Sequence, residues 1–227
     1  MHTLKKQKYP IIALMSLCFL FAFSFVLNAQ DIAHGPVEQV ADIQDVQGFI
    51  EGPAFNPADG HIYFVAMDEG WVFRLSTAGK YEKYFYLGHP DGFRGPNGMI
   101  WDENRRKFLI AHRQHGILEF DPENKSYETI AYEYEGKRFN GPNDLCLDSK
   151  GNIYFTDPWG TGVDNRKGAV YRVDAKTNEI TQIFSHLSFP NGIAVSPDDQ
   201  YLYVGEFGQN RIIRAMLLDN GKDTIYA

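Results

Sequence analysis

The sequence predicts an all-β fold, a β-propeller built from four-stranded antiparallel blades. Two observations carry this prediction. A pattern of four short apolar runs recurs at a spacing of 46 to 48 residues, and no stretch of the mature chain keeps the 3.6-residue periodicity of a helix. Repeats of about 40 to 50 residues made of four strands are typical of propeller blades.

The N-terminal segment is typical of an export signal. Three lysines precede an apolar run from Ile11 to Leu27, and Ala29 supplies a small residue for cleavage. We therefore predict a signal peptide over residues 1–29, a propeller domain over residues 30–227 and a periplasmic or secreted location. The run of 17 residues is also long enough for a short membrane anchor, although no stop-transfer pattern follows it.

Charge limits the choice of binding partners, and the cysteine content limits disulfide formation. Without residues 1–29, 19 basic residues stand against 29 acidic ones. This balance argues against nucleic acid, and against a membrane surface after signal cleavage. Cys146 is the only cysteine after residue 29, so no disulfide can form within the mature chain, and its apolar neighbours predict a buried strand position.

The four repeats have the same internal order. Their opening segments align without gaps: Glu51–Asn56, Asn97–Asp102, Asn143–Asp148 and Asn191–Ser196. A second apolar run follows in each repeat: Ile62–Val65, Phe108–Ala111, Ile153–Thr156 and Leu202–Gly205. Turns rich in Gly, Pro, Asn and Asp separate the strands, which favours antiparallel pairing of sequence neighbours. Before the first repeat, Val37–Val40 is predicted to form one further outer strand.

The opening residues of the repeats all carry side-chain oxygen: Glu51, Asn97, Asn143 and Asn191. The first strand of each propeller blade lies nearest the central channel, so we expect these residues to converge at one end of it. One carboxylate with neutral amides suits Ca²⁺ better than Zn²⁺. An ordinary turn is the alternative at positions 97 and 191, because Asn-Gly is also the strongest hairpin-turn signal.

Several ordered motifs carry a family resemblance over about residues 48–217. They read EGPAFNPADGHIYFVAMDEGWVFRL, GPNGMIWD, FNGPNDLCLDSKGNIYFTDPWG and FPNGIAVSPDDQYLYVGE. This series resembles the senescence-marker-protein, gluconolactonase and luciferin-regenerating-enzyme family. The resemblance implies a six-bladed propeller that holds a divalent cation, commonly Ca²⁺, in its channel and hydrolyses lactones. About four blades of such a ring are expected in this chain.

The resemblance also implies individual roles. The family's first-blade metal glutamate falls on Glu51, and its Pro-Asn-Gly asparagine falls on Asn191. Asn143 matches a position that ligates the metal in some members and contacts substrate in others. The family's proposed base, an aspartate in a later Pro-Asp-Gly motif, has no counterpart here, so the sequence leaves the catalytic residue unknown.

Four further residues are candidates for contact with substrate: Asn97, Arg138, Asp157 and His112. Arg138 begins an Arg-Phe-Asn run that resembles a substrate-contacting run of the family, with a solvated loop charge as the alternative. Asp157 ends a strand and would line the channel rim or cap the loop that starts at Pro158. His112 lies beside a turn, where a hydrogen-bonded rim histidine is the alternative to a catalytic one.

The expected function is hydrolysis of a lactone or related cyclic ester, in which the cation polarises the carbonyl and activates water. A non-catalytic propeller that binds a sugar acid or a partner protein remains an alternative. An enzyme similar to strictosidine synthase is a third reading, disfavoured because that group lacks this ring of metal ligands.

Overall fold

The computed structural model describes residues 38–44, 46–88, 95–218 and the backbone of residues 224–226. The predicted signal peptide, residues 1–29, lies outside the described residues. Four antiparallel sheets of four strands follow one another along the chain, and in each sheet neighbours in sequence are neighbours in space. The chain is therefore an all-β protein with four propeller blades, as the repeat pattern predicts.

The strands of the four blades are as follows. Blade 1 comprises β1 (Ile50–Asn56), β2 (His61–Ala66), β3 (Trp71–Ser76) and β4 (Tyr81–Tyr86). Blade 2 comprises β5 (Pro96–Asp102), β6 (Lys107–His112), β7 (Gly116–Asp121) and β8 (Ser126–Ala131). After the hairpin β9 (Glu133–Tyr134) and β10 (Lys137–Arg138), blade 3 comprises β11 (Leu145–Leu147), β12 (Ile153–Asp157), β13 (Gly168–Val173) and β14 (Ile180–Leu187). Blade 4 comprises β15 (Pro190–Val195), β16 (Tyr201–Glu206), β17 (Arg211–Leu217) and β18 (Thr224–Tyr226).

The core lies between successive blades. Apolar side chains of each blade pack on those of the next, as Tyr63 of blade 1 does on Phe108 of blade 2, with ring centroids 4.6 Å apart. Leu109 and Phe155 belong to the equivalent cluster between blades 2 and 3. Full burial of such side chains contributes about 1.5–3 kcal/mol each, so packing between blades fixes how their inner strands face one another.

Three of the inner strands carry a β-bulge at the same place. The register shifts lie between Glu51 and Ala54 in β1, between Pro96 and Met99 in β5, and between Pro190 and Ile193 in β15. A bulge redirects the local side chains away from the regular ladder. Each shift includes or adjoins an opening residue of the repeat, so the bulges set the direction of those side chains.

Cys146 lies in β11, where it packs against the cluster between blades 3 and 4. Burial raises the pKa of its thiol to about 12. A thiol with such a high pKa stays protonated and unreactive at neutral pH. The sequence-based interpretation of Cys146 as a strand residue facing apolar neighbours agrees with this position.

Two features differ from the strand pattern predicted from the sequence. Glu38, Gln39 and Val40 form no strand, and Val37 lies outside the described residues. The short β9–β10 hairpin interrupts the repeat between blades 2 and 3, at a place where no strand was predicted from the sequence. The part of the chain that the structure describes holds no helix long and apolar enough to span a membrane.

Candidate functional site

A cleft of about 350 Å³ opens where the inner strands of the four blades begin. Its walls consist of Glu51, Gly52, Pro53, Asn97, Gly98, Met99, Ile100, Asn143, Asp144 and Asn191. The four opening residues of the repeats, 46 to 48 positions apart in sequence, therefore line one cavity. Each blade therefore contributes to this cavity a residue whose side chain contains oxygen.

The inner strands approach closely because glycine follows the opening residue in three blades. A Cβ placed on Gly52 would lie 2.5 Å from the backbone nitrogen of Met99, and Gly52 has a φ of +56°. A Cβ on Gly98 would lie 2.6 Å from Oδ1 of Asp144. Gly98 N–H also donates to the carbonyl of Asn143 at 2.7 Å. A larger residue at either glycine would push neighbouring blades apart.

Thr156 connects the cleft residues of blades 3 and 4. The hydroxyl of this fully buried threonine donates to the carbonyl of Asn191 at 2.8 Å and accepts from Asp144 N–H at 3.2 Å. Its carbonyl accepts from Asn143 N–H at 2.9 Å. The backbone of all three cleft residues is therefore fixed by one side chain and one peptide group of β12.

Asp144 is a cleft residue that the sequence interpretation did not select. Its Oδ1 accepts from Leu145 N–H at 2.9 Å and its Oδ2 from Ile193 N–H at 3.3 Å, so the carboxylate bridges blades 3 and 4. Burial raises its pKa. The sequence did contain a signal for Asp144, because an aspartate stands there in place of the glycine that repeats 2 and 4 have at the same position.

Glu51 faces this second acid. The pKa of Glu51 is raised first by burial and then by the negative charge of Asp144, while the guanidinium of Arg113 opposes the rise. The cleft thus holds two carboxylates, where the sequence predicted one. Arg113 was also missed, because an arginine after the second strand of one repeat has no equivalent in the others.

The donor set fits a hard divalent cation. Two carboxylates with raised pKa values and three amides offer oxygen ligands of the kind that Ca²⁺ takes, and a cation between the carboxylates would relieve their repulsion. Within residues 38–44, 46–88 and 95–218, no group of three or more His, Cys, Asp and Glu side chains is placed to hold a metal ion.

Asn97 also lines the cleft but is buried, and its side-chain nitrogen lies 3.7 Å from the sulfur of Met67. Glu51 and Asn191 are only half-buried. Of the four opening residues, Asn97 and Asn143 are the most enclosed. Burial therefore makes a purely structural role easier to assign to Asn97 than to Glu51, which is more accessible to a ligand.

Arg138 lies outside the cleft and lines a second cavity of about 240 Å³. Its guanidinium sits 4.6 Å from the ring centroid of Tyr132, and that of Arg113 sits 4.1 Å from the ring centroid of Trp159. Arg113 lines this second cavity and also acts electrostatically on Glu51. The positive charge of Arg113 therefore acts on a residue of the cleft from the wall of the second cavity.

Asp157 and His112 line neither cavity. Oδ1 of the buried Asp157 accepts from Gly141 N–H at 2.6 Å, and Oδ2 accepts from Asn140 N–H at 2.8 Å. Its carboxylate therefore holds the loop after β10, whereas the sequence offered the channel rim or a cap on the loop at Pro158 as its two alternatives. Burial raises the pKa of Asp157 to about 6.

His112 is fully buried at the end of β6. Its Nδ1 accepts from the backbone N–H groups of Gln114 and His115, each at 3.2 Å. This pattern assigns the proton of the neutral ring to Nε2. The histidine shapes the turn that precedes β7, next to the wall of the second cavity.

The fold and the cleft thus define a β-propeller in which two acidic residues and three asparagines line a cavity at one end of the inner strands. The chain is a member of the SMP-30/gluconolactonase/LRE-like family, whose sequence profile matches residues 49–226.

Known proteins resemble this chain in sequence and in fold. Lactonase drp35 of Staphylococcus epidermidis is 42% identical over 200 residues, which cover 86% of this chain and 59% of that one. A gluconolactonase from Xanthomonas campestris superposes with a TM-score of 0.66 at 25% identity, covering 80% of this chain and 63% of that one. Regucalcin from Agrobacterium tumefaciens, a calcium-binding protein, superposes with a TM-score of 0.59 at 25% identity, covering 76% and 55%. The chain spans between 24% and 59% of the length of the curated relatives that it matches.

Proposed function

We propose that this chain carries the cation site of a calcium-dependent lactonase. The observation that supports the proposal best is the convergence of Glu51, Asp144 and the three asparagines on one cleft. Oxygen ligands in that number meet the needs of Ca²⁺ and leave room for a water or a substrate oxygen. The names of the relatives, lactonase and gluconolactonase, agree with this chemistry.

Glu51, Asn143 and Asn191 would hold the cation, with Asp144 as a second source of negative charge. A bound Ca²⁺ supplies a Lewis acid that polarises the lactone carbonyl and lowers the pKa of water. Asp144 is kept in place by two backbone N–H groups. Its carboxylate is therefore held in a fixed position, from which it would add negative charge beside the cation.

The substrate's ring and hydroxyl groups would extend from the cleft toward the second cavity. Arg113 and Arg138 line that cavity with guanidinium groups stacked on aromatic rings, so both can donate hydrogen bonds to hydroxyls or to a carboxylate. Asn97 would contact substrate from the wall of the cleft. Asp157 and His112 would act indirectly, by holding the loop and the turn next to the cavity.

Hydrolysis then adds a water oxygen to the carbonyl carbon and breaks the ring C–O bond, giving a hydroxy acid. A free hydroxy acid carries a negative charge at neutral pH. Arg113, which is half-buried in the wall of the second cavity, would attract that charge. The acid product would therefore bind near Arg113 in the second cavity, away from the two carboxylates of the cleft.

Release of acid from gluconolactone tests the proposal. We expect the rate to rise when Ca²⁺ is added, to fall to the uncatalysed rate with a chelator, and to recover when Ca²⁺ is restored. A rate equal to that of buffer under all three conditions, with calcium binding intact, would favour the alternative of a propeller that binds a sugar acid without turning it over.

A further inference from the structure

One fully buried hydroxyl group, that of Thr156 in β12, lies at the boundary between blades 3 and 4. Its Oγ1 is 2.8 Å from the carbonyl oxygen of Asn191, 3.2 Å from the backbone nitrogen of Asp144 and 3.5 Å from the carbonyl oxygen of Asp144. A hydroxyl carries one proton, and the shortest of these distances assigns it to Asn191. The group therefore donates to blade 4 and accepts from blade 3.

The other blades show that the fold does not need a hydroxyl at this place. The equivalent positions of blades 1, 2 and 4 hold Val65, Ala111 and Gly205, each opposite the start of the inner strand of its own blade. None of these residues has a polar side chain. Three blades therefore pair their first two strands without a polar group there, which indicates that the hydroxyl of Thr156 serves the cleft rather than the sheet.

Both partners of the hydroxyl belong to residues that line the cleft, Asp144 and Asn191, whereas Thr156 does not line it. A second contact joins the same two strands, because Oδ2 of Asp144 accepts from the N–H of Ile193 at 3.3 Å. Ile193 lies two residues after Asn191. The hydroxyl and the carboxylate thus make two separate connections between the start of β15 and the residues that lead into β11.

The side chain of Thr156 is well suited to hold its partners in place. A β-branched residue in a strand has a restricted χ1 angle, so the direction of its hydroxyl is fixed by the backbone. Burial adds to this effect, since a buried hydroxyl is costly unless it is hydrogen-bonded. Without the hydroxyl, the carbonyl of Asn191 and the N–H of Asp144 would each lose a hydrogen-bond partner.

We propose that Thr156 is a positioning residue of the cation site, whose hydroxyl holds Asp144 and Asn191 in fixed positions relative to each other. The assignment rests on the proposed function. Ligands that are already in place lose less conformational entropy on binding than ligands that must first be ordered. Loss of the hydroxyl should therefore weaken cation binding although Thr156 is not itself a ligand.

Calorimetric titration of the full chain with Ca²⁺ tests the proposal on two variants. Thr156→Val keeps the branched shape and removes the hydroxyl, and we expect its affinity to be about tenfold lower than that of the wild type. Thr156→Ser keeps the hydroxyl and removes the methyl group, and its affinity should stay within about twofold of the wild type. Urea unfolding of both variants separates affinity from stability, because each loses a buried group and both should be less stable than the wild type.

The matched control is Thr161→Val. The hydroxyl of the half-buried Thr161 donates to the carbonyl of Pro158 at 2.6 Å and accepts from the N–H of Phe189 at 3.1 Å. It also joins blade 3 to the start of blade 4, but it does not line the cleft, so this variant should bind Ca²⁺ as the wild type does.

Two results would overturn the role of Thr156 alone. One is wild-type affinity in Thr156→Val. The other is an equal loss in Thr156→Ser and Thr156→Val, which would assign the effect to packing of the methyl group. Absence of saturable calcium binding by the wild type would instead refute the proposed function, and the role of Thr156 with it.

Discussion

Asp144 and Glu51 illustrate how much a single side chain contributes to the cleft. Each has a raised pKa because burial disfavours its charge, and for Glu51 the second cause is the charge of Asp144. The negative charge of Asp144 disfavours the charged form of Glu51, and a cation bound near both acids would offset this repulsion.

We predict that Asp144→Asn weakens calcium binding by at least about tenfold, because the charge on the ligands sets calcium affinity. The variant keeps the size of the side chain and an oxygen for one of the two backbone N–H groups. Fluorescence or calorimetric titration with Ca²⁺ measures the effect. Asp164→Asn, which changes an exposed acid, is the control. Equal weakening in both variants would show that net charge, not the cleft, is responsible.

Asp157 makes a prediction for stability against pH. Its pKa is about 6 in the folded protein against an ordinary value of 3.8, chiefly because it is buried. Between these two values the folded state binds more protons than the unfolded state, so the contribution to stability falls as pH rises. We therefore expect the wild type to lose stability relative to Asp157→Asn between pH 4 and pH 7. The free energy of unfolding of the wild type minus that of the variant should fall by up to about 3 kcal/mol.

Urea unfolding of both proteins at several pH values measures this difference. The asparagine replaces one acceptor by a donor that faces a backbone N–H, a cost that does not vary with pH. Subtraction therefore isolates the titration of Asp157. If the free energy of unfolding of the wild type minus that of the variant stayed constant or rose toward pH 7, the raised pKa of Asp157 would be wrong.

At the scale of strands, the close contact between inner strands defines the cleft. Gly98 has no room for a Cβ, which would lie 2.6 Å from Asp144 and 2.9 Å from the carbonyl oxygen of Asn143. We predict that Gly98→Ala lowers the free energy of unfolding by about 1–3 kcal/mol, as overpacking typically does. It should also weaken calcium binding by moving Asp144.

Gly162→Ala is the matched control, because nothing lies within 4 Å of a Cβ at that position. Thermal unfolding of the two variants, followed by calcium titration, compares them. A Gly98→Ala protein as stable as Gly162→Ala would show that the strands have freedom that the packing does not suggest.

The sequence predicted the strands well where apolar runs and turn residues alternate. It failed at the β9–β10 hairpin, because two-residue strands leave no periodic signal. It also missed Asp144, since alignment of repeats draws attention to what recurs, and Asp144 is the exception among Asn-Gly pairs. Asp157 was predicted at the correct strand end, but only the packed structure shows which loop its carboxylate holds.

At the scale of the whole molecule, the propeller turns a sequence repeat into a site. Glu51, Asn97, Asn143 and Asn191 are far apart along the chain, and the packing of each blade on the next places them around one cleft. Their convergence was predictable from the period alone. The effect of Arg113 on Glu51 was not predictable from the sequence, because it depends on how blade 2 packs beside blade 1.

The central claim is that this cleft binds a divalent cation through Glu51, and calorimetric titration with Ca²⁺ tests it most directly. We predict saturable binding by the wild type and a loss of at least about tenfold in affinity for Glu51→Gln. Asn97→Ala should lose less, because its amide is neutral and buried. Glu133→Gln, an exposed acid in β9, should bind as the wild type does. Equal calcium affinity of the wild type and Glu51→Gln would contradict the account.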